Sequence, residues 1–545
     1  MEIRPAATLA LTRDTNHGLE VLLLQRTWDA VFLPGYYVFP GGAVDDSDAD
    51  CGPWLDGHDD LSASDALGLD NGGVNYMVAA IRECFEEAGL LLALTADGQE
   101  LAGDHPALAQ APDALARGEI SLAQLCEQHQ LILPLDRLAY LSHWVTPPGP
   151  PRRFDTRFFV AAAPAGQTPA HDGVETIDHV WLTPAQALDD HRNGRRLFGS
   201  PTLRTLRQLA DYPDTRSLLA ATHARPAEPD SREPWPARGD GQTQLIESGM
   251  AAYAEVRKLD PDRQGKARCV ITPGEPVTLG PGVHRITAPN PGVMTGPGTN
   301  TYVLGETGDY TVIDPGPDDD RHLDRLLAFT GGAIRQVVVT HTHRDHSPGA
   351  RRLARETGAR LLGMPAPEGP AQDSDFSPDQ VLWDGEEVAT AAGPLKVLHT
   401  PGHASNHLCY LLVPQAMLFS GDHIMQGSTV VINPPDGDMK AYLDSLDRLL
   451  EEDIRFIAPG HGFLIDQAHA VVDFLTTHRM ARERKVVHAL KAHGPASLED
   501  LTPHAYDDVP SAIHGVASRS LLAHLIKLEG DRRARQTDGL WQFIR

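Results

Sequence analysis

Six consecutive residues, His341-Thr-His-Arg-Asp-His346, contain three imidazoles and one carboxylate. All four side chains are types that bind divalent transition metals. An apolar stretch, residues 337–340, comes directly before them, and the turn-forming residues 347–349 follow. This arrangement predicts a metal site at the end of a strand.

A turn that leaves a strand can point His341 and His343 to one side and Asp345 and His346 to the other. One segment can therefore begin two adjacent metal sites, and the remaining ligands must come from distant parts of the chain. Three further candidates stand in Gly- and Pro-containing segments typical of strand ends, namely His403, Asp422 and His461. The chain has 26 histidines, so a histidine outside such a setting predicts nothing by itself.

In their order and chemistry, these blocks resemble the metallo-β-lactamase superfamily over residues 275–470. The resemblance implies two Zn²⁺ ions, one held by His341, His343 and His403, the other by Asp345, His346 and His461, with Asp422 bridging them. Two such ions make hydroxide available near neutral pH, and Asp345 would take part in catalysis. The same centre serves phosphodiesters, thioesters and lactams, so it predicts hydrolysis but not the substrate.

A helix predicted over residues 76–92 carries Glu83, Glu86 and Glu87 on the face opposite its apolar residues. Three carboxylates on one helical surface repel one another unless a cation lies between them. Carboxylate oxygens suit Mg²⁺ or Mn²⁺, which also bind phosphate oxygens. The helix therefore predicts a second metal site.

The segment Arg82–Leu90 and the turn Phe39-Pro-Gly-Gly42 resemble the two halves of the Nudix box. The resemblance implies cleavage of a nucleoside diphosphate linked to another group, with the three glutamates as metal ligands, Glu86 and Glu87 as catalytic residues, and Glu175 as a further ligand or base. Gly42 precedes Arg82 by 40 residues instead of the usual 14, so an Asp- and Gly-rich insertion divides the box. We predict that this insertion is a surface loop. Val74 then stands at the expected position of the first glutamate.

An interrupted box and a segment such as Arg152-Arg-Phe-Asp-Thr-Arg-Phe-Phe159 resemble the Nudix group that includes coenzyme A diphosphatases, over most of residues 5–190. By this resemblance, Arg152 and Arg153 would contact substrate phosphates. Two hypotheses remain open for this domain. It is either an active pyrophosphatase, which makes the protein bifunctional, or a ligand-binding sensor that regulates a glyoxalase II-like thioesterase.

The segments at residues 289–305 and 313–316, together with the ligand blocks, resemble the β-lactamase-like protein 2 branch, some of whose members cleave single-stranded RNA. That branch ends in a winged-helix domain. RNA phosphodiesters and acyl thioesters therefore remain as the two substrate classes. The basic segment Thr477–Lys485 would either contact RNA or form a salt-bridged helix surface. His407 is a candidate substrate-binding residue, with orientation of His403 as its alternative role.

With 545 residues, the chain is too long for one hydrophobic core. The motifs and a Pro- and charge-rich stretch predict a Nudix domain at residues 1–212, a linker at 213–268, a metallo-β-lactamase domain at 269–470 and a winged-helix-like domain at 471–545. The expected fold class is multidomain α/β and α+β. A Nudix α/β/α sandwich is followed by an αββα sandwich and a small winged-helix-like domain.

The net charge of −27 argues against a dedicated binder of duplex DNA. No apolar stretch of about 18 residues and no signal-peptide region is visible, so we expect neither a membrane span nor secretion. Five scattered cysteines fit a reducing cytoplasm. The expected partner is a small nucleotide or coenzyme A-like substrate, with single-stranded RNA as the alternative, and the oligomeric state is not predicted.

Overall fold

The computed structural model describes residues 3–30, 33–109, 111–146, 153–224 and 233–544. The chain divides into two compact units, Met1–Pro234 and Trp235–Arg545. Each unit has hydrophobic cores of its own. The division falls inside the stretch 213–268, where the composition predicts a linker.

The first unit is built around one sheet. Its strands are β1 (Ile3–Thr15), β2 (Gly18–Arg26), β3 (Tyr37–Val38), β4 (Gly41–Ala43), β5 (Leu55–Asp56), β6 (Leu133–Pro134), β7 (Ala139–Val145), β8 (Arg153–Ala162) and β9 (Thr176–Leu182). Its helices are α1 (Asp60–Leu67), α2 (Gly73–Ala88), α3 (Ala111–Ala116), α4 (Leu122–His129), α5 (Pro184–Arg192), α6 (Ser200–Leu209) and α7 (Thr215–His223). The sheet has the order β3-β2-β1-β8-β7, with β4 paired to β1 and β9 paired to β2.

Helices cover both faces of this sheet. Leu9 of β1 packs in one core with Phe85 of α2. The neighbouring Ala10 and Leu23 point to the other face and pack in a core with residues of α6 and α7. Side chains alternate along a strand, so a strand buried on both faces has a continuous apolar run, as β2 has over residues 21–24. The result is the α/β/α sandwich that the sequence predicts.

The helix with the three glutamates, α2, begins and ends earlier than predicted. Gly89 ends it in a left-handed conformation (φ +67°), with its N–H donating to the carbonyl of Phe85. At the other end, a Cβ added to Gly73 would lie 2.3 Å from the backbone nitrogen of Ser64. Glycine therefore lets α2 start directly against α1.

The stretch between the two halves of the box is folded, so the prediction of a surface loop was wrong. A 3-10 helix over Asp46–Trp54 begins with a capping box between Asp45 and Asp48. Cys51 and Leu67 lie in the same core as α2. The many Asp and Gly residues of this stretch hide the few apolar side chains that anchor it.

The second unit contains two sheets and a C-terminal helical region. Its strands are β10 (Trp235–Gly239), β11 (Gln242–Ile246), β12 (Val277–Gly280), β13 (Val283–Thr287), β14 (Asn300–Leu304), β15 (Tyr310–Ile313), β16 (Ile334–Val338), β17 (Arg360–Gly363), β18 (Gln380–Val381), β19 (Glu387–Thr390), β20 (Gly393–His399), β21 (Leu408–Leu412), β22 (Met417–Gly421), β23 (Phe456–Pro459), β24 (Ala534–Thr537) and β25 (Leu540–Phe543). Its helices are α8 (Tyr253–Leu259), α9 (Asp320–Thr330), α10 (Gly349–Thr357), α11 (Met439–Leu449), α12 (Ala468–His493), α13 (Leu498–Ala505) and α14 (His514–Gly530).

Two sheets of this unit pack face to face. Strands β12 to β18 form the first sheet in sequence order, and β19 to β23 form the second. Leu304 and Val338 of the first sheet share a core with Leu395 and Tyr410 of the second. Helices α9 and α10 cover the outer face of the first sheet, and α11 with the beginning of α12 covers that of the second. This is the predicted αββα sandwich.

Helix α12 connects the sandwich to the C-terminal region, which consists of α13, α14 and the β24–β25 hairpin. Val472 and Leu475, near its start, lie in the core beneath the second sheet. Val486 and Leu490, near its end, lie in the C-terminal core with Trp541 of β25. One continuous helix of 26 residues thus contributes to two cores.

Most of the described part of residues 213–268 is folded and not an extended linker. Trp235 of β10 and Val256 of α8 are buried in a common small core. Glu255 of α8 forms a two-pronged ion pair with Arg285 of β13, with nitrogen–oxygen distances of 2.6 and 2.9 Å. Both side chains are 2% exposed. The composition predicts a linker because it does not distinguish a solvated charge from one buried in such a pair.

None of the helices in the described ranges is both long and apolar enough to cross a membrane.

Candidate metal centre

The predicted metal ligands all follow the ends of strands. His341, His343, Asp345 and His346 lie in the segment after β16, and His403 follows β20. Asp422 comes directly after β22, and His461 comes two residues after β23. The strands of both sheets therefore end at one common edge of the sandwich, and the loops there meet.

These seven side chains form two adjoining clusters. In the first, His343 Nδ1 lies 3.0 Å from His341 Nε2 and 3.0 Å from His403 Nε2. In the second, Asp345 Oδ2 lies 3.4 Å from His346 Nε2 and 3.5 Å from His461 Nε2. The ligand atoms within each cluster are close enough to share one ion.

Asp422 lies between the two clusters and offers one oxygen to each. Its Oδ2 is 3.8 Å from His403 Nε2 in the first cluster. Its Oδ1 is 3.4 Å from His346 Nε2 and 3.3 Å from His461 Nε2 in the second. Glycine allows this approach, because a Cβ on Gly460 would lie 2.5 Å from Asp422 Oδ1. The geometry thus matches the bridging role that the resemblance implies.

Hydrogen bonds behind the clusters fix the orientation of the rings. His346 Nδ1 donates to Asp314 Oδ2 (2.9 Å), His403 Nδ1 to the carbonyl of Val431 (2.9 Å) and His461 Nδ1 to the carbonyl of Gly298 (3.2 Å). The hydroxyl of Thr340 donates to Asp314, so it is left to accept from His341 Nδ1 at 3.0 Å. In its neutral form, each of these four rings therefore turns an unprotonated Nε2 toward the centre.

Asp314 is the residue of this outer layer that the sequence reasoning missed. It accepts from both the backbone nitrogen and the hydroxyl of Thr340, and it also binds His346. Its backbone is left-handed (φ +48°), a conformation that costs free energy in a non-glycine residue. The signal in the sequence was an isolated aspartate between the end of β15 and Pro315-Gly316.

The charge balance of the centre suits divalent cations. Burial and the nearby His346 hold the pKa of His341 well below its ordinary value, and burial with His403 lowers the pKa of His343 to about 4. Burial also opposes the charge on His346, but Asp345 and Asp422 outweigh it and raise the pKa of His346 well above its ordinary value. The carboxylates therefore favour a positive charge at this place.

Two buried atoms at the centre have no hydrogen-bond partner among the described residues, namely His346 Nε2 and Asp422 Oδ1. Buried polar atoms are normally satisfied, so such a pair of facing lone pairs is an opening for a ligand. Imidazole nitrogens with carboxylate oxygens are the donor set that zinc takes in hydrolytic enzymes. The residues present therefore fit a divalent metal pair.

The position of His407 does not fit the predicted contact with substrate. Its side chain is fully buried and stacks on the ring of His341, with a centroid distance of 5.0 Å. Its Nδ1 lies 3.0 Å from the hydroxyl of Thr400. Because it lies behind the ligands, His407 supports the ring of His341, whereas the alternative role considered from the sequence was orientation of His403.

The glutamates of α2 lie beside the glycine turn, as a divided Nudix box requires. The backbone N–H of Gly41 donates to Glu87 Oε2 at 3.0 Å, and a Cβ on Gly42 would lie 2.5 Å from the carboxylate of Glu83. Burial raises the pKa of Glu83 to about 7 and, together with Glu83, raises the pKa of Glu87 well above its ordinary value. Glu86 shares the guanidinium of Arg82 with Glu83. Crowded carboxylates with raised pKa values are suited to a cation.

The structure places the insertion after the first acidic residue of the box and not before it. Asp48 stands six residues after Gly42, which is the spacing that the usual box gives its first glutamate. Its carboxylate is buried and binds Arg82 through two hydrogen bonds, at 2.7 and 3.0 Å. Asp48, and not Val74, therefore has the spacing from Gly42 and the contact with Arg82 that suit the first acidic residue of the box.

The remaining Nudix candidates are placed less favourably. Arg152 lies outside the described residues. Arg153 donates to the carbonyl of Thr146 and pairs with Glu233 at 3.1 Å, so its guanidinium is already engaged. Glu175 is exposed, and its charge acts on Glu87 from the end of the loop before β9.

Comparison with known families identifies three regions of the chain. The model of the metallo-β-lactamase superfamily matches residues 294–461. The model of the NUDT19 Nudix domain matches residues 62–209, and that of the β-lactamase-associated winged-helix domain matches residues 497–541.

A β-lactamase-like protein 2 homologue of Caenorhabditis elegans is 34% identical over 263 residues, which are 47% of this chain and 88% of that protein. The chain belongs to the metallo-β-lactamase superfamily. It carries a Nudix domain in addition, and both families make it a hydrolase. Another relative of this chain, an atrochrysone carboxyl ACP thioesterase of Aspergillus chevalieri, is 29% identical over 46% of this chain and 82% of its own length.

Solved structures resemble each half. A metallo-β-lactamase family protein of Thermus thermophilus is 22% identical, with a TM-score of 0.43, covering 49% of this chain and 100% of its own. A NUDIX hydrolase of Alicyclobacillus acidocaldarius is 29% identical, with a TM-score of 0.36, covering 40% of this chain and 96% of its own.

In this metallo-β-lactamase-fold hydrolase, replacing one ligand of a cluster is expected to remove the ion that this cluster holds. His403→Ala and Asp345→Ala should each bind about one zinc ion fewer than the unaltered protein, since three donors define each pocket. Elemental analysis after dialysis measures the content. His469→Ala, an exposed histidine hydrogen-bonded only to a backbone carbonyl in the described structure, is the control. Unchanged zinc in both variants would refute the site.

Asp48 is expected to hold the two halves of the Nudix box together. Asp48→Ala leaves Arg82 without its buried partner, so the amides of α2 should exchange roughly ten-fold faster with deuterium, as the loss of a charged hydrogen bond predicts. Asp48→Glu should restore most of the protection. Asp50→Ala, an exposed aspartate of the same 3-10 helix, is the matched control. Equal exchange in Asp48→Ala and Asp50→Ala would contradict this role.

Proposed function

We propose that the centre at His341–His461 is a two-zinc site that hydrolyses an acyl thioester. The observation that carries this proposal is the position of Asp422, which gives one carboxylate oxygen to each cluster of ligand atoms. Zinc ions bound by these residues would supply an activated water near neutral pH and would balance the charge that develops on a carbonyl oxygen. The thioesterase among the relatives supports the thioester as the substrate class.

The residues of the centre suit the proton transfers of this reaction. Water adds to the carbonyl carbon, the carbon–sulfur bond breaks, and the products are a carboxylic acid and a thiol. Asp345 is the more exposed of the two carboxylates, with 30% of its side chain accessible against 11% for Asp422. The hydroxyl of Thr299 lies 3.3 Å from Asp345 Oδ2 and holds this carboxylate in place. Asp345 can therefore take the proton of the water and return it to the sulfur.

The basic segment of α12 does not support RNA as the substrate. Arg482 pairs with Asp508 at 2.8 Å. Lys485 pairs with both Asp507 and Asp508, at 2.7 and 3.0 Å. These cations are neutralised within the chain, so they offer little to a phosphate backbone. Of the two interpretations of this segment, the salt-bridged helix surface fits better.

We further propose that the Nudix domain is active on the diphosphate of a coenzyme A-like or nucleotide substrate, with Mg²⁺ or Mn²⁺ at Glu83, Glu86 and Glu87. The pairing of Asp48 with Arg82 supports activity, because the first acidic position of the box is then filled. A small thioester carrying a diphosphate would be a common substrate type for both halves. The alternative is that the domain binds such a ligand without cleaving it and regulates the zinc site.

We also propose that the Nudix domain extends through α7 and that the metallo-β-lactamase domain begins at β10. Leu218 of α7 lies in a core of the first unit, and Ala237 of β10 lies in a core with α8 of the second. Most of residues 213–268 then belong to one domain or the other.

The proposed thioesterase activity predicts release of a thiol from acyl-coenzyme A or lactoylglutathione, followed with a chromogenic thiol reagent. Asp345→Ala should lower kcat at least about 100-fold, beyond the loss typical of residues that only orient ligands. Asp473→Ala, an exposed carboxylate on α12, should leave kcat unchanged. If single-stranded RNA is cleaved in an Asp345-dependent manner and no thiol is released, the substrate assignment is wrong.

The proposed Nudix activity predicts that coenzyme A or ADP-ribose is cleaved with Mg²⁺ and that Glu86→Gln abolishes this cleavage, because one carboxylate ligand is lost. Product analysis by chromatography measures the reaction, and calorimetric titration measures binding. Glu127→Gln on α4 is the control. Binding without any cleavage by the unaltered protein would favour the sensor, whereas cleavage that survives in Glu86→Gln would contradict the metal assignment.

A further inference from the structure

Arg479 of α12 is a buried arginine without an acidic partner among the described residues. It is 4% exposed. The carboxylate one helical turn further on, Glu483, is taken by Lys527 at 2.9 Å and by Arg533 at 3.2 Å. Burial of a guanidinium that has no counter-charge is unfavourable, so its position must be compensated by other contacts.

Those contacts lead toward the metal centre. One guanidinium nitrogen of Arg479 donates to the carbonyl of Val430. The guanidinium carbon lies 5.4 Å from the centre of the Tyr442 ring, within the range of a cation–π contact. Val430 belongs to the irregular segment 422–438 between β22 and α11, and Tyr442 belongs to α11.

Each contact is one step away from a proposed metal ligand. The carbonyl of Val431, next to Val430, accepts the hydrogen bond from His403 Nδ1 at 2.9 Å. The hydroxyl of Tyr442 donates to the carbonyl of His423 at 3.1 Å, next to Asp422. The backbone of Tyr442 also packs closely on Gly402, where a Cβ would lie 2.4 Å from its Cα. Arg479 thus supports the segment that orients His403.

His403 differs from His341 and His346 in what holds its hydrogen-bond partner. His341 and His346 are oriented by Thr340 and Asp314, which follow strands β16 and β15 of the first sheet. His403 is oriented by a carbonyl in a segment without regular structure, whose backbone is not fixed by a strand ladder. Arg479 supplies a fixing contact from the C-terminal side.

We propose that Arg479 is a positioning residue through which α12 fixes the carbonyl of Val431, and thereby the ring of His403. Helix α12 would then contribute to the metal affinity of the cluster formed by His341, His343 and His403. This inference rests on the proposed metal centre.

Zinc titration of the metal-free full chain, in competition with a chromogenic chelator, tests this role. Arg479→Met should weaken zinc binding by one of the two proposed sites about 10- to 100-fold, the usual effect of losing a residue that orients a ligand. The other site should change little. Co²⁺ absorption identifies which site is altered. If Arg479→Met and His403→Ala change the same absorption bands, the altered site is the one that contains His403.

Arg482→Met is the matched control, because it removes a positive charge from the same helix. The partners of Arg482, Asp508 and the carbonyl of Ala505, lie in the C-terminal region. Equal zinc affinities in Arg479→Met and Arg482→Met would overturn the inference. If Arg479→Met does not fold, Arg479→Lys decides by the same comparison. Fewer than two zinc ions in the unaltered metallo-β-lactamase domain would instead overturn the metal centre itself.

Discussion

The bridging position of Asp422 is the constraint on which this half of the molecule depends. One carboxylate can serve two clusters of ligands only if the loops from two different sheets meet within a few ångströms. The αββα sandwich provides this meeting, since β16 of one sheet and β20, β22 and β23 of the other end at the same edge. The core between the sheets therefore sets the geometry of the centre as much as it stabilises the fold.

Electrostatics adds a second requirement. The centre collects buried imidazoles and carboxylates whose charges conflict, as the opposite pKa shifts of His341 and His346 show. Asp345 and Asp422 favour a positive charge beside them, which a cation would balance. The hydrogen bonds that the rings donate to Asp314, Thr340, Gly298 and Val431 hold the rings in place whether or not that balance is complete. Rigid orientation of this kind lets a site accept its ions without rebuilding.

The sequence predicted the metal-binding residues of the site better than the residues that hold them in place. The seven proposed ligands of the centre were named from their residue types and from the turn-forming residues around them, because metal-binding side chains in turn settings have few other roles. Asp314 and Arg479 could not be found in this way. The role of Asp314 depends on a left-handed backbone, and the role of Arg479 depends on an indirect contact through the segment that holds His403. Neither feature leaves a periodic signal in the sequence.

The errors had a common physical origin. The insertion after Asp48 and most of the described part of residues 213–268 were assigned to solvent because they are rich in charged residues, Gly or Pro. In the structure, Asp48 pairs with Arg82 and Glu255 pairs with Arg285, both away from water. The amino-acid composition gives the number of charged residues but not their partners. A few buried ion pairs are therefore enough to make a segment folded where its composition predicts a solvent-exposed one.

The contact between Asp48 and Arg82 also bears on how the first domain tolerates changes in length. The two residues touch each other, so the chain that leaves Asp48 and returns to α2 at Gly73 forms a closed excursion. The entropic cost of closing such an excursion rises only with the logarithm of its length. Segments of very different size could therefore occupy this place, and the carboxylates beside Gly41 and Gly42 would keep their arrangement.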